Sequence, residues 1–195
     1  MNEPKPRGRQ RSLEAEAAVL AAVMELLKNK PLREVTADAI AQRAGVSKAT
    51  LYKWWPNKNI IALDACLSRM NLRVTIPDTG SAYEDFALQL KDVIQFYTSP
   101  DGGLFRQFIA EGQSDPEFLT LFRDRFVQAR RDAVRAIWDR GVTRGEIRDD
   151  IDSDVGLDLI FGPMVSRLLT GHAPLNDAQA DAMMNVAFRA VRTTH

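Results

Sequence analysis

Apolar residues recur at helical spacing along almost the whole chain, and the recurrence breaks only at short polar, Gly- or Pro-containing stretches. Leu20, Val23 or Met24, and Leu27 mark one face of a first helix, opened by Ser12 and running to about Asn29. Ala39, Ile40 and Ala44 repeat the pattern on a much shorter segment, and Leu51 and Trp55 lie four apart on the next. Ile60, Ile61, Leu63, Leu67 and Met70 fall on a helix of about 58–72. Phe86, Leu90, Val93, Ile94 and Tyr97 line one that reaches about Ser99, and Phe105, Phe108 and Ile109 line a shorter one near 104–113. Phe118, Phe122, Phe126, Val134 and Trp138 face inward on a long helix ending near Val142. Two more follow, one bearing Leu157, Ile160, Phe161, Val165, Leu168 and Leu169, the other Met183, Met184, Val186, Ala187, Phe188 and Val191. No run alternates apolar and polar residues with a period of two, so the expected fold is all-α, with about nine helices.

The breaks carry their own chemistry. Thr36 is suited to cap a helix and Asp38 to its first turn; Gly45 is suited to end that helix in a left-handed conformation. Ser47 caps the next segment and Pro56 stops it, so 36–58 reads as a helix-turn-helix, whose second helix normally enters the DNA major groove. Asn57 caps the helix after it. Ser81 and Glu84 have the spacing of a capping box, and Asp115-Pro116 is a cap followed by proline at the first helical position. Asp152 to Asp154 and Asn176 to Gln179 open the last two helices. The loop Thr75–Gly80 marks a domain boundary. The expected division is a basic arm at 1–11, a DNA-binding head at 12–57, a linking helix at 58–74 and a helical body at 81–195.

Two lysines stand at helix starts. Lys48 and Lys58 oppose the dipole of the helix each one begins, an arrangement that favours an external anion ahead of the helix. Thr50, Tyr52 and Lys53 add hydroxyls and charge on the outward side, and Tyr52 and Trp54 offer amphipathic rings to a sugar-phosphate backbone. Arg7, Arg9 and Arg11 alternate with small or polar residues, as in arms that follow a minor groove.

The string Ala44-Gly45-Val46-Ser47, then Thr50-Leu51-Tyr52, Trp54-Trp55 and Lys58 resembles the DNA-binding domain of tetracycline-repressor-like regulators. Ala49 stands where that family often has Gly, and Trp54-Trp55 where it often has His-Phe. The resemblance implies a homodimeric transcriptional regulator, a repressor of a pseudo-palindromic double-stranded DNA operator. Lys48, Ala49, Thr50 and Tyr52 would meet the major groove, and Thr36, Ser47, Trp54 and Lys58 the phosphates. It also implies a body cavity for a small, often apolar effector. Phe86, Phe105, Phe108, Phe122, Trp138, Phe161 and Met164 are the residues available to line it. The alternative is a constitutive dimeric DNA-binding or interaction protein whose body takes no effector.

Composition sharpens this picture in a few places. The formal net charge is zero, yet residues 1–60 hold eleven Lys and Arg against six Asp and Glu, which leaves fifteen against twenty in the remainder. A basic end on an acidic body points to one polyanion-facing region. The single cysteine, Cys66, rules out an internal disulfide and fits a reducing, cytoplasmic setting. The longest unbroken apolar run, Ala17 to Met24, is far shorter than a membrane span. His172 and His195 have no neighbours at metal-ligand or triad spacing, and no Gly-rich phosphate loop is present. Neither an enzyme, nor a metal, nor a cofactor is expected. The last two helices are apolar around more than one stripe, with Gly156, Gly162, Ser166 and Ala187 permitting close approach. A two-fold four-helix interface through Phe161, Val165, Leu168, Leu169, Met184 and Phe188 would bury the surplus.

Overall fold

Good helix formers, punctuated by caps and glycines, produce the nine helices of the computed structural model, which describes residues 7–193, with side chains from Leu13 onward. They are α1 (Arg7–Leu27), α2 (Ala37–Ala44), α3 (Lys48–Trp54), α4 (Lys58–Arg73), α5 (Ala82–Thr98) and α6 (Leu104–Ser114). Helix α7 opens as Pro116–Phe122, passes through a π-helical turn at Arg123–Val127 and continues as Gln128–Thr143; α8 (Ser153–Thr170) and α9 (Asp177–Val191) complete the order. A 3-10 turn, Leu32–Glu34, joins α1 to α2. Among the described residues there is no strand, only an isolated bridge between Ile147 and Arg192. None of the helices is long and apolar enough to cross a membrane.

Helix α1 departs from expectation at both ends. It begins at Arg7 rather than Ser12, because only Gly8 in that stretch disfavours helix. Its buried stripe is Val19, Ala22 and Val23, with Leu20 and Leu27 half-buried. The side chains of Arg7, Arg9 and Arg11 lie outside the described residues, so their role as an arm stays an expectation.

The chain divides into two compact units. The first comprises the residues through Arg69 together with Gln107–Phe122. Its core holds Val23, Ile40, Leu51, Trp55 and Ile60, and a second cluster in which the rings of Phe108, Phe118 and Phe122 lie 6.2–6.3 Å apart. Polar links accompany these rings: the Leu32 N–H donates to Gln107 Oε1 at 2.8 Å, and Asn59 Nδ2 donates to Glu111 Oε1 at 2.9 Å. Residues 107–122, assigned from sequence to the body, therefore group with the N-terminal unit.

The second unit comprises Met70–Arg106 and the chain from Arg123 onward. Helix α5 is its centre, burying Phe86, Gln89, Leu90, Val93 and Ile94 among α7, α8 and α9. The expected capping box does not form, since the Ser81 side chain makes no cap hydrogen bond; Glu146 Oε2 accepts from the Ala82 N–H at 2.7 Å instead. Asp85, fully buried, accepts from the Thr79 N–H (2.7 Å) and hydroxyl (2.8 Å) and from Arg140 Nη2 (3.2 Å). Gly156 permits a close approach within the chain: a Cβ there would stand 2.1 Å from Trp138 Cη2.

Candidate nucleic-acid interface and ligand cavity

Local chemistry builds the helix-turn-helix. Thr36 Oγ1 accepts from the Ala39 N–H at 3.2 Å, capping α2. Gly45, at φ 67°, reverses the chain where an L side chain would be strained. Ser47 Oγ accepts from the Thr50 N–H at 3.1 Å, capping α3. Leu51 and Trp55 are buried, with the Trp55 indole N–H donating to Asp64 Oδ2 at 2.8 Å. These anchors leave the other side of α3 outward: Lys48, Ala49, Tyr52 and Lys53 are exposed, Thr50 and Trp54 half-buried. A hydroxyl that caps uses a lone pair and retains its proton, so Thr36 can cap and still donate. The Ser47 and Thr50 hydroxyls stand 2.8 Å apart, and one proton of the pair remains available.

The two lysines of interest diverge. Lys48 reaches back to Asp38, its Nζ 2.9 Å from Oδ1 and 3.0 Å from Oδ2, while remaining half exposed. The hydrogen bond and charge of that carboxylate raise the ammonium above the usual lysine range. Lys58 turns inward, and its Nζ donates to the carbonyls of Leu32 (3.0 Å), Arg33 (3.0 Å) and Val35 (2.6 Å). All three ammonium protons are thereby engaged. Lys58 stands at the unfavourable end of its own helix but at the carbonyl end of the 3-10 turn, where a cation is favoured. Its expected role as a waiting phosphate ligand is corrected to that of an internal cap.

The second unit contains a cavity of about 140 Å³. Phe105, Phe161 and Met164 line it, as expected from sequence; Phe86 and Trp138 do not. Phe86 is buried against Phe161 at a ring separation of 6.3 Å, and Trp138 fills the space that Gly156 leaves. Phe108 and Phe122 are core residues of the first unit. Tyr97, Phe126, Val134, Gln89 and Arg130, not among the expected lining residues, are also on the wall. With its amide oriented to suit both neighbours, Gln89 donates to the Thr75 carbonyl at 2.6 Å and accepts from Arg130 Nη2 at 3.0 Å. Burial lowers the Arg130 pKa, partly countered by Tyr97.

On α8 and α9, the residues expected at a two-fold interface separate by burial. Leu168 and Met184 are buried within the chain, Phe161, Val165 and Phe188 are half-buried, and Leu169 is exposed. The outward face instead shows Val155, Leu159 and Leu169 on α8 and Val186 on α9, with open space beside Gly162.

Two family models match this chain. Residues 19–65 match the model described as bacterial regulatory proteins, tetR family, and residues 76–187 match the tetracyclin repressor-like C-terminal domain. The uncharacterized HTH-type transcriptional regulator YdeS of Bacillus subtilis is 38% identical over 188 residues, covering 96% of this chain and 95% of that protein. The DNA-binding transcriptional repressor TetR of Mycobacteroides abscessus is 28% identical over 175 residues, covering 88% of each. The crystal structure of the TetR family transcription regulator SCO0332 superposes with a TM-score of 0.81 at 33% identity, covering 91% of this chain and 98% of that one. The capped helix-turn-helix falls within the first matched stretch and most of the helical body within the second, and the chain belongs to the TetR family of helix-turn-helix transcriptional regulators.

Proposed function

We propose that the protein is a homodimeric repressor that binds a pseudo-palindromic operator through α3 and is released by a small effector in the body cavity. The observation that carries the reading is the outward face of α3, with Lys48, Ala49, Thr50 and Tyr52 turned away from the buried Leu51 and Trp55. Lys48 is held by Asp38 at the surface, so DNA exchanges one anion for another at its ammonium. The exposed Thr36 and Ser47 and the half-buried Trp54 would meet phosphates beside it. The sign of control follows the relative named a repressor.

Dimerisation is supported by the apolar outward face of α8 and α9. A two-fold contact there would remove Val155, Leu159, Leu169 and Val186 from water, and two α3 helices would then read two half-sites about 34–36 Å apart. The effector acts by linkage: a ligand that prefers a dimer with its recognition helices off that spacing weakens DNA binding by the same factor that DNA weakens it.

The test is Lys48→Ala in a DNA-binding titration on a selected operator at physiological salt. The expected loss is roughly fivefold to a hundredfold, with the circular dichroism spectrum unchanged. Wild-type affinity in the variant would contradict this placement of α3.

A further inference from the structure

We propose that the cavity of the second unit selects ring-sized apolar organic acids, with the Arg130 guanidinium as counter-ion to the ligand carboxylate. The proposal rests on reading that cavity as the effector site. Its wall is almost wholly apolar, carrying the rings of Tyr97, Phe105, Phe126 and Phe161. At about 140 Å³ it matches cavities that hold one benzene-sized molecule. A ligand of one ring, or a branched acid of similar bulk, fills it.

Arg130 sets the charge of that ligand. A guanidinium has five N–H donors, and one, at Nη2, is met by Gln89 Oε1 at 3.0 Å. The other arginine on the wall differs. Arg131 Nη2 lies 2.9 Å from Asp154 Oδ1, and its Nη1 lies 2.6 Å from Asp158 Oδ1. Arg130 has no such carboxylate partner among the described residues. The Gln89 amide is fully buried, and its second hydrogen bond, to the Thr75 carbonyl, fixes the end that holds Arg130. A half-buried cation facing an apolar wall without an anion is costly, and a carboxylate satisfies it with two parallel hydrogen bonds. A neutral ligand of the same shape gains only the apolar part, and an amine meets a like charge.

The experiment compares benzoate with benzamide, benzyl alcohol and benzylamine by isothermal titration calorimetry and thermal shift. The proteins are wild type, Arg130→Gln and Arg130→Lys, each as the full chain. Expected in the wild type is benzoate binding at least tenfold tighter than benzamide, with benzylamine weakest. Arg130→Gln should erase the difference, and Arg130→Lys should keep part of it. Benzoate no tighter than benzamide in the wild type overturns the charge assignment and leaves a neutral effector cavity standing. That comparison needs no variant to fold. Unchanged benzoate affinity in Arg130→Gln also overturns the proposal. Binding of none of the four at millimolar concentration overturns it and counts against the cavity as an effector site, while the Lys48→Ala titration judges DNA binding separately.

Discussion

Lys58 illustrates how a residue's meaning depends on a partner far along the chain. Read locally, it is a cation at the wrong end of a helix; in the fold it closes three carbonyls more than twenty residues earlier in the chain. Lys58→Met should leave those carbonyls short of a donor and destabilise the protein by about 1–3 kcal/mol, measured as a lowered urea midpoint. An unchanged midpoint would mean that water replaces the ammonium without loss. Lys48 was read in the same way, as a cation awaiting an outside anion, and the fold gives it Asp38, a partner ten positions earlier that its local reading did not name. Asp85 makes the complementary case. Burial alone would raise its pKa, but the hydrogen bonds from Thr79 and the hydrogen bond and charge of Arg140 outweigh it, and the carboxyl titrates below its ordinary value. A carboxyl with a lowered folded pKa contributes stability that is fully present above the unfolded value, about 3.9, and is lost as pH falls through the folded one. Asp85→Asn should therefore lower the urea midpoint at pH 7, and the gap from wild type should narrow as the pH is taken below about 4. A gap that is constant with pH would contradict the charged network.

Helices were the most legible scale, because each start and stop has a local cause. Thr36, Ser47, Asn57, Asp115, Asp152 and Asn176 all accept from backbone N–H groups at the expected starts. Ser81 makes no such bond: its own N–H, which Glu84 would take in a capping box, donates to Thr79 Oγ1 at 3.3 Å, and Glu146, distant in sequence, takes the Ala82 N–H. The π-helical turn within α7 has no signature in the apolar spacing, yet it carries Phe126 and Val127 to the cavity wall. Periodicity finds the buried face of a helix but cannot separate residues that fill a core from those that edge a void. This is why Phe105 and Phe161 were found together with Phe86 and Trp138, which are packed. The same limit explains α8 and α9: an all-round apolar pattern announced surplus surface without saying that Leu168 and Met184 point inward and Leu159 and Val186 outward. Leu159→Glu places a charge on that outward face. The proposed dimer should dissociate to monomer in analytical ultracentrifugation, with helical content retained. A dimer as tight as wild type would move the interface elsewhere.

At the scale of the molecule, a neutral chain divides its labour unevenly. The basic excess belongs to residues 1–60, which include the helix-turn-helix, and the remainder is acidic. Such a balance attracts DNA to one region and keeps the body off it. We propose that α3 reads a specific operator from the face carrying Lys48, Thr50 and Tyr52. It is tested most directly by selecting bound sequences of the wild-type protein from random double-stranded DNA at physiological salt. The expected outcome is enrichment of one inverted repeat whose half-sites are centred about one helical turn, or a whole number of turns, apart. Recovery of unrelated sequences with no common half-site would contradict it.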